Sequence, residues 1–412
     1  MQRWAERLLA RMRILNVTQA YYPFLEKGGP TVKVRALARG LAARGHQVTV
    51  LTANLGLDGA AQQRIRARRD SWGWRAEEDG VETLYLPILG RYRAVTWNRG
   101  AFRWCRRNSS SFDIVHIFGL YDLLGPVAAH VRYHTRLPYL VEPMGMFRPI
   151  VRNLRLKWLY HRLFGYRVLQ KARFVVATSE QERTELTEGG IPLPQIVLRR
   201  NGIEAPSPLP EPGGFRARLG ITQNVKMVLF LGRLVQKKCP ELAIQAFADW
   251  CGVTAGEDLA VLVLAGPEEE TGYVRALESL ANNLGLRGRV FFPGPLYEQA
   301  KWSAYRDADV FVLPSQNENF GNTAGESVAC GTPVLVTDRC GIAPLVEGRA
   351  GLAAPFERGA FSAALGRLLD DDALRARLRA GCSEMALSLS WEEPLAETEA
   401  LYSRILAEAR RE

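Results

Sequence analysis

The chain reads as an α/β protein of two doubly wound, Rossmann-like domains, expected to face each other across a cleft. Three observations carry this. Short apolar, β-branched runs alternate with amphipathic helical stretches from one end to the other, the pattern of parallel sheets with helices on both faces. One stretch, Glu204 to Gly214, is so rich in Pro and Gly that neither helix nor strand fits it, and it splits the alternation into two sets. The 412 residues are enough to give each half a full core.

In chain order, the first-half strands are RILNVTQ, QVTVLT, VETLYLP, DIVHIFG, PYLVEP, RFVVATS and QIVLRRN, with helical patterns between most of them, as at Thr31 to Arg44. They assign residues 1–203 to the first domain and 204–214 to the linker. The second domain, 215–390, holds VKMVLFLG, LAVLVLAG, RVFFPG, DVFVLP and PVLVTD. Beyond Trp391 the tail 391–412 reads as an amphipathic helix that packs back on the first domain. Gln62 to Gly80 has scattered charge and no clean period, so it reads as a mobile loop. Pro149 to Arg173 sets Arg and Lys among Trp, Tyr, Phe and Leu at helical spacing. That composition suits either a membrane surface or a core-facing helix with snorkelling cations.

Apolar residues make up 47% of the chain, yet no run reaches the length of a membrane span, and the charged N-terminus lacks a signal sequence's apolar stretch. Cys105, Cys239, Cys251, Cys330, Cys340 and Cys382 show no C-x-x-C spacing, which points to reduced thiols in a cytoplasmic protein. Charge is unevenly divided: 33 Lys and Arg stand against 16 Asp and Glu up to Ala205, and 21 against 27 beyond it. The basic half is therefore the side expected to meet an anionic partner. No nucleic-acid-binding signature accompanies the charge, so a phosphate-bearing acceptor or the inner face of an anionic membrane is the expected partner, with peripheral attachment.

The chemistry concentrates between Pro314 and Pro333. Glu318 and Glu326 have seven residues between them and lie after one apolar strand and before another, at the strand end where open α/β sheets bind ligands. Asn319-Phe320-Gly321-Asn322 forms a turn, and Thr323 to Cys330 reads as a helix whose first N–H groups suit a phosphate. Each domain's first strand ends in a phosphate device. Lys27-Gly28-Gly29-Pro30 opens a helix in the first. In the second, Gly232-Arg233 ends the strand, and Lys237 and Lys238 precede a helix starting near Pro240. Asp307-Ala308-Asp309 leads straight into a strand and reads as structural, as does Asp370-Asp371-Asp372 at a helix start. His116 is placed at the end of its strand, where a structural role competes with a site role. No metal constellation is evident.

Taken together, these residues resemble the family 4 glycosyltransferases. GGPTVKVRALARGLAARGHQVTVLT is similar to the family's opening and NGIE (201–204) to the end of its first domain. EPMGM (142–146) resembles its Pro-x-Gly-Met segment, GRLVQKK its Gly-Arg-Leu-x-x-x-Lys motif and ENFGNTAGE its E-x7-E signature. The resemblance implies a GT-B fold and a retaining, metal-independent transfer of sugar from a nucleoside diphosphate sugar to a glycan or lipid-linked glycan hydroxyl, with no further cofactor. It assigns the donor diphosphate to Arg233 and Lys238, the transferred sugar to Glu318 and the ribose to Glu326. Gly232 and the backbone of Phe320, Gly321 and Asn322 complete the donor site. Gly28, Gly29, Met144 and His116 fall on the acceptor side. Two departures stand out: Met144 where relatives carry His or Arg, and Cys239 where Gly is common. A catalytically degenerate nucleotide-sugar-binding partner in a glycan assembly complex and a nucleotide-sugar epimerase are the alternatives.

Overall fold

The computed structural model of the chain describes residues 11–24, 28–92, 95–148, 154–253 and 260–411. Lys27, the first ten residues and 149–153, on which parts of the sequence reading fell, lie outside them. The chain divides into two compact units, one running to Gly202 and resuming at Trp391, the other spanning Ile203–Ser390.

Among the described residues of the first unit, β1 (Arg13–Thr18), β2 (Gln47–Ala53), β3 (Arg68–Arg69), β4 (Trp74–Glu78) and β5 (Val81–Leu86) are followed by β6 (Ile88–Tyr92) and β7 (Val95–Asn98). Then come β8 (Ile114–Phe118), β9 (Tyr139–Glu142), β10 (Val175–Ala177) and β11 (Ile196–Leu198). The sheet runs β11-β10-β9-β8-β1-β2-β5-β4-β3, with β6 and β7 as a separate hairpin. Pairing is parallel from β11 to β5 and antiparallel at β4 and β3. Every residue of β8 is buried, as a parallel strand between two helical layers requires.

The second unit holds β12 (Lys226–Leu231), β13 (Ala260–Ala265), β14 (Val290–Gly294), β15 (Val310–Leu313), β16 (Val334–Thr337) and β17 (Gly351–Ala354). Their order is β14-β13-β12-β15-β16-β17, all parallel. In both sheets the winding direction reverses beside the first strand, between β1 and β8 and between β12 and β15. Such a switch point leaves a crevice at the strands' carboxyl ends.

The structure changes some local readings. Gln62 to Gly80 is not one long loop: the helix Gly59–Arg64 runs into it, and β3 and β4 extend the sheet edge. The edge position explains the miss, since only Ala76 of β4 is buried and no apolar alternation results. The β6–β7 hairpin and the short strand Gly351-Leu352-Ala353-Ala354 also escaped the reading. Nor is 204–214 free-standing, because the Asp307 carboxylate accepts backbone N–H groups of Gly213, Phe215 at 2.7 Å and Arg216 at 2.9 Å. Asp309 pairs with Arg216 at 2.6 Å, so both carboxylates of the D-x-D run are structural.

The last helix, Glu392–Ala409, crosses back onto the first unit. A Cβ on Gly40 would lie 2.5 Å from the Leu395 side chain, so a larger residue there would have to push that leucine aside. Arg44 binds Glu399 at 2.7 Å and Glu392 at 2.6 Å, and His46 Nε2 lies 2.8 Å from Glu399.

Candidate functional site

Two loops leave the switch point of the second unit. The first follows β12 and carries Gly232, Arg233, Lys237 and Lys238. Gly232 donates its N–H to Ala265 at 3.0 Å, and its carbonyl lies where a Cβ on Gly266 would be, at 1.7 Å. The Arg233 guanidinium reaches Glu269 at 3.0 Å across exposed surface. Gln236–Lys238 makes one tight turn that ends at Cys239 with φ 48°, a left-handed conformation that a side chain tolerates poorly. Burial, the Glu241 carboxylate adding to it, pushes the Cys239 thiol up to about 11.

The second loop follows β15. Glu318 hangs between backbone bonds: its N–H donates to Arg339 at 2.9 Å and its carbonyl accepts from Gly341 at 2.9 Å. Its carboxylate forms an ion pair with Lys238, and both side chains are largely withdrawn from water. Gln316 N–H donates to Lys237 at 3.0 Å, so the backbones of the two loops are joined as well. Gly321 has φ 104°, and a Cβ there would sit 2.9 Å from Ile342 Cγ2. It stands at the start of the helix Asn322–Ala329, one residue earlier than the sequence reading had it, and supplies no side-chain cap. The first-turn amides therefore face the switch point without a side-chain acceptor from Gly321.

Glu326 sits in the second turn of that helix. Its carboxylate accepts from Lys301 Nζ at 2.8 Å and from the Tyr305 hydroxyl at 2.9 Å. Burial, with Glu326 next, drives the Tyr305 phenol far above its usual range, so it is a fixed donor. Lys301 and Tyr305 were missed by sequence reading. Their i, i+4 spacing on Glu298–Asp307 marks one helix face, but nothing in the sequence aims it at Glu326. Thus Lys238 and Glu318 meet directly, while Arg233 and Glu326 hold separate partners.

In the first unit, Gly28 with φ 95° leads the helix Gly29–Ala43 after β1. Pro30, Thr31, Gly119, Asp122, Met144 and Met146 are among the residues lining a hollow of about 210 Å³ at the carboxyl ends of β1 and β8. Met144 has φ 56° and Gly145 φ 73°. This turn is held from below by Glu182, whose carboxylate accepts Gly145 N–H at 2.5 Å and Thr178 N–H at 2.8 Å. Asp122, which sequence reading also missed, is wholly buried, and burial pushes its carboxyl up to about 6.

His116 is not at its strand's end. It lies in the middle of β8, fully buried, with Nδ1 2.8 Å from the Tyr402 hydroxyl and Nε2 3.6 Å from Glu142. Its neighbour Glu142 forms a buried ion pair with Lys33 and bonds Arg199 at 2.6 Å. Burial raises the Glu142 carboxyl, but the charges of Arg199 and Lys33 outweigh that and hold it below the usual range. The apolar residues of β8 hid this cluster, whose members are spread over the whole first unit.

Sequence profiles of two domain types match the chain: "Glycosyl transferase 4-like domain" over residues 28–202 and "Glycosyl transferases group 1" over 214–384. The chain belongs to the family 4 glycosyltransferases. The D-inositol 3-phosphate glycosyltransferase of Xylanimonas cellulosilytica is 28% identical to this glycosyltransferase over 399 residues, 90% of each chain. The protein of that name from Corynebacterium urealyticum is 29% identical over 403 residues, covering 92% of this chain and 91% of its own. Among solved structures, the sucrose-phosphate synthase of Thermosynechococcus elongatus superposes with a TM-score of 0.70 at 21% identity, covering 96% of this chain and all of the other. Anabaena Alr3699/HepE, solved with UDP and glucose, gives 0.72 at 19% identity over 96% of this chain and 100% of its own. These likenesses establish the fold, GT-B, for the glycosyltransferase.

Proposed function

We propose that this glycosyltransferase is a retaining, metal-independent enzyme that moves a sugar from a nucleoside diphosphate sugar to a hydroxyl of a glycan or lipid-linked acceptor. The reading is carried by the Lys238–Glu318 ion pair, set beside the glycine-led start of Asn322–Ala329 at the switch point of the second unit. In the free enzyme Lys238 and Glu318 neutralise each other. A bound diphosphate takes Lys238 for itself, and the released Glu318 carboxylate then accepts hydrogen bonds from the sugar hydroxyls.

Arg233 leaves Glu269 at little cost, because an exposed pair contributes only about 0–1 kcal/mol. Its planar fork suits phosphate oxygens. Two cations and a helix terminus balance the charge that develops on the departing diphosphate, fixed in place before reaction. Lys301 and Tyr305 hold Glu326 oriented toward the ribose hydroxyls. Retention proceeds by front-face attack, the leaving phosphate oxygen taking the acceptor's proton. The hollow beside Met144 holds the acceptor hydroxyl. The relatives' names point to phosphate-bearing acceptors, which fits the basic first unit.

The test is donor turnover with a panel of UDP-, GDP- and ADP-sugars. Wild-type protein should release nucleotide slowly in water, and Lys238→Ala and Arg233→Ala should reduce that release by orders of magnitude in proteins that still unfold cooperatively. Turnover at the wild-type rate in purified Lys238→Ala overturns the diphosphate assignment. Isomerised donor without released nucleotide would indicate an epimerase.

A further inference from the structure

The first unit carries a groove far larger than the acceptor hollow, about 1500 Å³. The β6–β7 hairpin, the helix Ala101–Asn108 and the start of Leu124–Thr135 wall it. Stretches of chain close in sequence line both: Leu55, Arg91 and Asp122 line the hollow, and Asn54, Leu89 and Leu123, one or two residues away, line the groove.

Its lining is of two kinds. Trp72, Trp74, Leu89, Trp97, Phe102 and Phe164 make it apolar, and at the mouth Trp97 is 67% and Leu89 64% exposed. A monomeric surface rarely keeps such side chains together in water without an occupant. Arg69, Arg99 and Arg103 add positive charge. Among the described lining residues the acidic one is Asp70, and it is engaged by Arg75 and by the N–H groups of Trp72 at 2.8 Å and Gly73 at 2.9 Å. Beyond Phe164 the apolar collar continues over exposed Trp158, Leu159 and Leu163, with Arg162 over the Trp158 ring at 5.6 Å. Aromatic and aliphatic side chains interleaved with arginine are the composition of a segment that lies at a lipid surface.

We propose that this groove binds the hydrocarbon tail and phosphate of a lipid-linked acceptor drawn from a membrane, so that the acceptor's reactive end reaches the hollow beside Met144. The proposal rests on the glycosyltransferase reading above and names its acceptor class. Apolar walls remove the tail from water, and guanidinium forks grip the phosphate. A free glycan fits less well, because sugar hydroxyls call for carboxylate and amide partners. Of those in the lining, Asp70 is occupied and the Asn98 amide is used internally on Leu86 at 3.2 Å and Thr96 at 2.9 Å, which leaves the Asn54 side chain beside three arginines.

Isothermal titration of the full chain with farnesyl phosphate, farnesol, inorganic phosphate and maltoheptaose tests this. Farnesyl phosphate should bind at least about tenfold more tightly than either of its halves. The exposed pairs Trp97→Ala with Phe102→Ala, and Arg99→Glu with Arg103→Glu, should each weaken it by about tenfold or more while thermal unfolding stays unchanged. Wild-type affinity in both paired variants overturns the proposal, as does maltoheptaose binding that those variants abolish. Lys238→Ala should bind farnesyl phosphate as wild type does. A failed donor assignment would therefore show in turnover alone and a failed groove in the titration alone.

Discussion

His116 Nδ1 and the Tyr402 hydroxyl lie 2.8 Å apart although 286 residues separate them in sequence. The bond ties the centre of the first sheet to the last helix, and both groups are out of reach of water. With a carboxylate 3.6 Å from Nε2, the tautomer protonated at Nε2 suits the site, leaving Nδ1 to accept from the tyrosine. Tyr402→Phe deletes one oxygen and strands Nδ1. The expected loss is about 1–3 kcal/mol of unfolding free energy, read from the denaturant midpoint at constant m-value.

The same histidine sets an acid limb. Burial lowers its pKa to about 3, against roughly 6.5 in an unfolded chain. Between those values the unfolded state binds one more proton than the native state. Stability therefore falls as pH drops through about 6.5 and keeps falling toward 3, at no more than about 1.4 kcal/mol per pH unit from this group. His116→Gln should flatten that limb relative to wild type in urea melts taken from pH 7 to pH 4. Parallel pH profiles for the two proteins would mean that the imidazole is not what titrates.

Glu142 faces two cations, Lys33 and Arg199, with no water around them. Removing the shared carboxylate should therefore cost more than removing either cation alone. Glu142→Gln is expected to lose about 3–5 kcal/mol, whereas Lys33→Met, which leaves Glu142 with Arg199, should lose less. Equilibrium unfolding of the two variants gives the order directly, and the reverse order would contradict this arrangement of charge.

How far the sequence carried the reading follows from the physics of each part. Buried parallel strands such as Phe230-Leu231 in β12 and Val310–Leu313 in β15 are continuous apolar runs, and loops at a switch point follow their ends by rule, so the loops carrying Arg233, Lys238 and Glu318 could be located by position. The edge strand Trp74–Glu78 and the Gly90-bearing hairpin bury too little to leave a pattern. His116 was misplaced because a strand's end cannot be read to within two residues when polar and apolar residues are both buried. Lys301, Tyr305, Lys33 and Arg199 find their partners only through tertiary packing. Cys239 is the opposite case. Its departure from the common glycine was visible in the sequence, and its φ of 48° gives the reason glycine is favoured there.

That backbone supplies a further prediction. A left-handed residue with a Cβ costs about 1–2 kcal/mol that glycine avoids. Cys239 recovers part of this through its sulfur, which donates to the Gln236 carbonyl at 3.1 Å and packs against the core beneath Pro240–Val253. Replacement by alanine keeps the strain and discards the sulfur contacts, while glycine discards both. Cys239→Gly should therefore be more stable than Cys239→Ala by about 1 kcal/mol in thermal or urea unfolding. An alanine variant as stable as the glycine variant would show that the residue closing the turn that carries Lys238 is not held left-handed in solution.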